Sequence, residues 1–257
     1  MKRITAAVVL LFSVIAADGV RAADMPLPPA SAPAPPAVYP AYSALYDWRG
    51  FYVGLNGGYG FGTSSWGGDP NKTSGLTSTG NFRTRGFLAG GTIGGNFQAG
   101  AFVFGIEADL DWQSLKGSSS SAYCTGLSTG SGKPAAGLSC QTQSDWVGTT
   151  RGRVGYAIDR ALFFVTGGAA VADILTGLTN QSLQKTAGQF GWTVGGGIEI
   201  GLADMWTAKV EYLYIDFNNA SCNVTPACGF NAKAFPNDTV KLSESVVRAG
   251  INFKFTP

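Results

Sequence analysis

The chain has 257 residues, of which 45% are hydrophobic and 13% charged, with 37 glycines and a formal net charge of +2. It is too apolar for wholesale disorder, it lacks the three-residue glycine period of collagen, and its charge balance suggests no nucleic-acid partner. The absence of histidine excludes Ser-His-Asp and Cys-His catalysis and histidine-ligated metal sites.

Lys2 and Arg3 precede an apolar run from Ile4 to Ala17, broken only by Thr5 and Ser13. A basic start and a run shorter than the roughly 20 residues of a spanning helix predict a secretory signal over residues 1–22. Val20 and Ala22 fit the third-last and last positions of a cleavage site, so the cut is expected between Ala22 and Ala23. Residues 23–47 hold seven of the twelve prolines (Pro26, Pro28, Pro29, Pro33, Pro35, Pro36 and Pro40). Alternating Pro and Ala give an extended, semi-rigid linker that cannot build a core. The folded domain is expected to cover 48–257.

From Trp48 onward, segments of alternating character recur, separated by stretches rich in Asn, Ser, Thr and Gly. Alternation is the period of a β-strand with two different faces. In the first segment Phe51, Val53, Leu55, Tyr59 and Phe61 share one face, opposite Tyr52, Gly54, Asn56, Gly58 and Gly60. Eight strands are predicted, over 50–62, 86–97, 101–113, 145–157, 161–172, 188–201, 205–217 and 244–255. The fifth is the least clean, because Leu162, Phe163, Phe164 and Val165 give no clear face. Soluble strands run about 5–6 residues, whereas a tilted membrane-crossing strand needs about 9–11. Long and short connections also alternate, the short ones being 98–100, 158–160 and 202–204, as in outer-membrane barrels. The predicted fold is all-β: a transmembrane, antiparallel, eight-stranded closed barrel. Its long loops lie outside, and its tight turns and both termini are periplasmic.

The opening Asp47-Trp48-Arg49-Gly50-Phe51-Tyr52-Val53-Gly54 resembles the first strand of small outer-membrane β-barrel proteins of the porin-family and outer-membrane immunogenic group. The closing Arg248-Ala249-Gly250-Ile251-Asn252-Phe253-Lys254-Phe255 resembles the last-strand assembly signal of such proteins, with Arg248, Gly250, Phe253 and Phe255 as its elements. Here Thr256 and Pro257 follow the final aromatic residue. The resemblance spans roughly 48–255 and implies outer-membrane location after export, contact with lipid and lipopolysaccharide, and delivery by periplasmic chaperones and the barrel-assembly machinery. It is weak for function, since one fold hosts many activities.

The polar faces carry five acids, Glu107, Asp109, Asp111, Glu199 and Glu211, and five bases, Arg151, Arg153, Lys209, Arg248 and Lys254. An eight-stranded barrel is only wide enough for side chains to fill, and confined charges must pair. These ten are expected to form a lumenal network that plugs the barrel; the alternative is a narrow channel lined by the same residues. Trp48, Phe51, Phe61, Phe87, Trp112, Trp146, Trp192, Trp206 and Phe255 fall near strand ends and read as aromatic girdles.

Cys124 and Cys140 lie in the second long connection, and Cys222 and Cys228 in the fourth. Four cysteines allow three connectivities, and proximity favours Cys124–Cys140 and Cys222–Cys228 in an oxidising compartment. Neither C-x-x-C spacing nor histidine supports zinc. The glycine runs at 90–95 and 195–197 lack the Lys-Ser/Thr ending of a phosphate loop. Asn-X-Ser/Thr triplets at Asn71, Asn180, Asn219, Asn223 and Asn237 are assigned to loops and to composition rather than glycosylation. Neither a catalytic residue nor a cofactor or metal site is assigned. The function expected is structural: envelope integrity and surface presentation, with a diffusion pore or a loop-mediated adhesin as the alternatives.

Overall fold

The structure is a computed structural model and describes residues 46–67, 78–124, 139–178, 184–221 and 239–255. The signal and cleavage site, the linker up to residue 45, the Cys222–Cys228 pair and the triplets at Asn71, Asn180, Asn223 and Asn237 lie outside them. The strands are β1 (Gly50–Gly67), β2 (Ser78–Ala99), β3 (Phe102–Ser119), β4 (Cys140–Ile158), β5 (Ala161–Leu178), β6 (Gln184–Gly201), β7 (Trp206–Ser221) and β8 (Thr239–Phe255). Each pairs antiparallel with the next, and β8 closes on β1, so the barrel has no free edge. β2 and β3 are joined by Gly100-Ala101, and β4 and β5 by Asp159-Arg160. In each turn the first residue has positive φ, 62° at Gly100 and 51° at Asp159. Glycine and aspartate are among the residues that tolerate this conformation.

In β1 the odd residues face out, with Phe51 and Leu55 about three-quarters exposed, while Tyr52 and Asn56 are buried within. The ten steps from Phe51 to Phe61, at about 3.3 Å each and tilted about 40°, make an apolar band about 25 Å tall. Aromatic side chains at both ends of the strands, including Phe61, Phe87, Trp112, Trp146, Trp192, Trp206 and Phe255, are exposed on this outer wall. Trp48 is a correction to the girdle: it is 1% exposed and fills the tight-turn mouth with Tyr46, Val103, Ala157 and Leu162.

All eight predicted strands are present, but at the long-loop end they run further, as in β2 from Ser78 rather than 86 and β4 from Cys140 rather than 145. Beyond the apolar band the outer face is polar, so the backbone ladder continues after the side-chain alternation has faded. Asn219 accordingly lies in β7 and not in a loop. Bulges between Ser65/Gly67, Trp112/Leu115, Gln143/Val147 and Phe217/Ala220 cluster at this end. In β5, Leu162 and Phe164 point inward and Phe163 and Val165 outward, so both faces are apolar there.

The interior is layered. Above the Trp48 cluster lies a charged middle, described below. Next comes an apolar layer that includes Leu88, Leu115, Val147, Ile174, Leu213 and Leu242. At the long-loop rim Trp66, Phe82, Tyr123 and Val240 pack around the Cys124–Cys140 disulfide. Peptide mapping without reductant is expected to recover these two cysteines as one linked pair; free thiols at both would refute the bridge. Replacing both by serine should cost about 3 kcal/mol in the chain-entropy model.

Candidate functional site

Strand alternation aims Glu107, Asp109 and Asp111 of β3, Arg151 and Arg153 of β4, Glu199 of β6, Lys209 and Glu211 of β7 and Arg248 of β8 at the barrel axis, where they are nearly solvent-free. The register sets opposite charges directly across from each other: Glu107 faces Arg151, Glu199 faces Lys209, and Glu211 faces Arg248. Such cross-strand pairs are the unit of sheet stabilisation.

Arg151 is one hub. Its Nη2 lies 2.5 Å from both Glu107 Oε1 and Asp109 Oδ2, and its Nη1 lies 2.9 Å from Glu211 Oε2 on the opposite wall. Arg248 is the other. It reaches Asp109 at 2.8 Å, Asp111 at 2.7 Å and Glu211 at 2.8 Å. The guanidinium fork suits this role, since its donors are fixed in a plane and match carboxylates. Lys209 sits between Glu107 at 2.8 Å and Glu211 at 3.2 Å.

Arg153 makes the third link, to Glu199 at 2.6 Å, with its guanidinium 4.4 Å from the Phe164 ring centroid. The Tyr52 hydroxyl donates to Glu107 at 2.7 Å and accepts from Arg153 Nη1 at 3.1 Å. Glu199 also accepts from Thr207 and Asn252, at 2.5 and 2.9 Å. One connected network thus ties β1, β3, β4, β6, β7 and β8 together.

Glycines make the room. A Cβ at Gly94 would strike the Tyr52 phenol, and one at Gly90 would strike Asp111. The runs at 90–95 and 195–197 lie within β2 and β6, where their use is space.

Lys254 is a correction to the ten. Its side chain is buried, but it donates to the backbone carbonyl of Asp47 and lies 4.4 Å from the Tyr46 ring, so it belongs to the tight-turn cap. Tyr46 stacks edge-on against Trp48 at 4.7 Å, and its hydroxyl donates to Ala203 O at 3.0 Å. Burial, reinforced by the charge of Glu199, pushes the Tyr46 hydroxyl up to about 12. The hydrogen bond from Arg49 holds the Asp47 carboxyl below its ordinary value.

Two lumenal residues escaped the sequence reading. Tyr52 lies on the face that the alternation predicts, and nothing in the sequence marks its contacts with Glu107 and Arg153. Glu244 on β8 is 1% exposed, lies between Leu242 and Val246, and has no hydrogen-bond partner on either oxygen among the described residues. The same parity that places Arg248 inside places Glu244 inside four residues earlier. Of the closing-strand elements, Arg248 points into the network, whereas Phe253 and Phe255 contact each other edge-on at 5.4 Å.

Comparison with known proteins identifies the family of the barrel. The family model described as "Outer membrane protein beta-barrel domain" matches residues 30–255. The 31 kDa outer-membrane immunogenic protein of Brucella melitensis is 31% identical over 228 residues, covering 82% of this chain and 85% of that protein. The 22 kDa outer membrane protein of Rhizobium leguminosarum bv. viciae is 29% identical, covering 81% and 78%. Among solved structures, Neisserial surface protein A is 12% identical with a TM-score of 0.42, covering 80% of this chain and 97% of that one. With matching relatives named for the outer membrane and a closed eight-stranded barrel of its own, the chain belongs to the outer membrane protein β-barrel domain family.

Proposed function

We propose that this outer-membrane barrel is a structural protein of the envelope whose lumen does not conduct. The observation that carries the reading is the order of layers along the axis: a charged network bounded below by the Trp48 cap and above by the Leu88–Leu242 layer. An ion crossing it would have to displace paired charges and then shed its water in an apolar constriction, a recognised barrier to conduction. The five network carboxylates are each held by a cation, so none is arranged as a nucleophile. The name "immunogenic" carried by relatives supports surface presentation by the long-loop end.

Purified, refolded protein in planar lipid bilayers is expected to show no steady conductance above the lipid baseline. A steady, ohmic wild-type current would overturn the closed reading in favour of a narrow channel lined by the same charges.

A further inference from the structure

We infer that the lumen binds a hard monovalent cation of the sodium class between Glu244, Gln113 and Thr84, on the long-loop side of the charged network. The site goes beyond the structural role proposed above and does not depend on whether the lumen conducts.

Charge balance is the first reason. The five network carboxylates share Arg151, Arg153, Lys209 and Arg248, while Lys254 is drawn into the tight-turn cap. Glu244 adds a further enclosed acid. Among the described residues no Arg or Lys forms an ion pair with it. The charge that acts on it is that of Asp111, another acid. A carboxylate enclosed without counter-charge or donor is strongly disfavoured, so Glu244 takes its counter-charge from outside the chain.

The shape of the wall is the second. On its inner face β1 carries glycine at 58, 60 and 62, so side chains of the neighbouring strands can lean over it. Glu244 on β8 and Thr84 on β2 lie on either side of Gly62 in the ladder. Glu244 leans towards Gly60, where an added Cβ would strike its Oε1 and approach Leu115. Gln113 stands two residues before Leu115 on the inner face of β3, and its amide adjoins the Glu244 carboxyl group. Side chains of β8, β2 and β3 thus converge over the glycines of β1.

The donor set names the class of ligand. Both oxygens of Glu244, Gln113 Oε1 and Thr84 Oγ1 are buried and have no hydrogen-bond partner among the described residues. Gln113 Nε2 donates to Ser144 Oγ at 2.7 Å, which leaves the amide oxygen as its open end. A proton on Glu244 brings one donor to these four oxygens, whereas a cation engages them together. Carboxylate, amide and hydroxyl oxygens are hard ligands and suit hard cations rather than zinc or copper. Calcium takes about six to eight oxygens and favours sites rich in carboxylates. One uncompensated carboxylate matches a single positive charge.

The test uses the mature chain refolded in nonionic detergent micelles, with urea unfolding followed by tryptophan fluorescence. At equal ionic strength, sodium chloride at about 0.15 M is expected to raise the urea midpoint by about 0.5–1 M over choline chloride, whose cation is too bulky for the site. The variant E244Q keeps the shape and loses the charge, so its midpoints in the two salts should coincide. D216N, which alters an acid on the outer wall, should respond to sodium as the wild type does. Equal wild-type midpoints in the two salts would overturn the proposal, and that comparison stands even if E244Q fails to fold. An undiminished sodium response in folded E244Q would refute it as well. So would a wild type indifferent to sodium that loses stability between about pH 6 and 9 while E244Q does not, the mark of a proton held on Glu244. A larger shift from about 1 mM calcium than from sodium would overturn the monovalent assignment.

Discussion

Arg151→Ala lowers the unfolding free energy of the barrel by about 3–5 kcal/mol, the usual cost of leaving buried partners unpaired. Arg151 is enclosed and holds Glu107, Asp109 and Glu211 at once. Removing it leaves three carboxylates in a confined space with only Lys209, Arg153 and Arg248 to share. Arg151→Lys restores charge but not the fork, so it should fall between the two. The control is Arg49→Ala, whose partner Asp47 lies at 3.0 Å in a pair more than half exposed; solvent screens such pairs, so its loss should leave stability nearly unchanged. Urea unfolding in micelles, followed by tryptophan fluorescence, reads all three. Equal stabilities for the Arg151 and Arg49 variants would show that the network carries no weight.

A second large loss is expected at the tight-turn mouth. Trp48→Ala empties an enclosed site against Tyr46, Val103, Ala157 and Leu162 and should cost about 3–5 kcal/mol. Trp206→Ala is the paired measurement. That indole is 47% exposed on the outer wall, and its removal creates no enclosed void, so its loss should be less than half as large. If the two variants unfold at the same urea concentration, Trp48 behaves as another girdle residue and the cap is not a structural layer. The cap also carries a pH signature. Because the Tyr46 hydroxyl is pushed up to about 12 when folded, its contribution is complete below about pH 10 and is lost as pH rises through 12.

The alternation of β1, β3, β6 and β8 was legible because lipid and lumen make opposite demands on neighbouring side chains. Where that contrast ends, so does the signal. Residues 78–85 and 140–144 are ladder-paired but polar on the outside, so the sequence there reads as loop. In β5 both faces are apolar at Leu162–Val165, because Leu162 seals the mouth and Phe164 lies against Arg153. Trp48 shares the even parity of Tyr52 and Asn56, which would have placed it inside; its nearness to the strand start made it look like a girdle residue. The charged residues were recognisable one by one, and adjacent pairs such as Glu107 and Arg151 follow from register. The contacts of Arg151 with Glu211 and of Arg248 with Asp109 do not. They depend on how β4 and β7, or β8 and β3, face each other once the wall has curved shut. Lys254 shows the converse, a charge of the correct parity drawn away by a backbone carbonyl at the barrel end.

Those cross-lumen contacts join strands that are never neighbours in the sheet. A growing hairpin or half-barrel can form the Glu107–Arg151 pair, but Arg151 meets Glu211 and Arg248 meets Asp109 only after β8 has found β1. Until then their charges keep their water, and assembly draws no drive from them. Interactions made after the rate-limiting step act on the return path: they slow escape without hastening arrival. The lock at the centre of the barrel therefore sets chiefly how long an inserted molecule lasts. Variants such as Arg248→Ala should insert at close to the normal rate and come apart sooner.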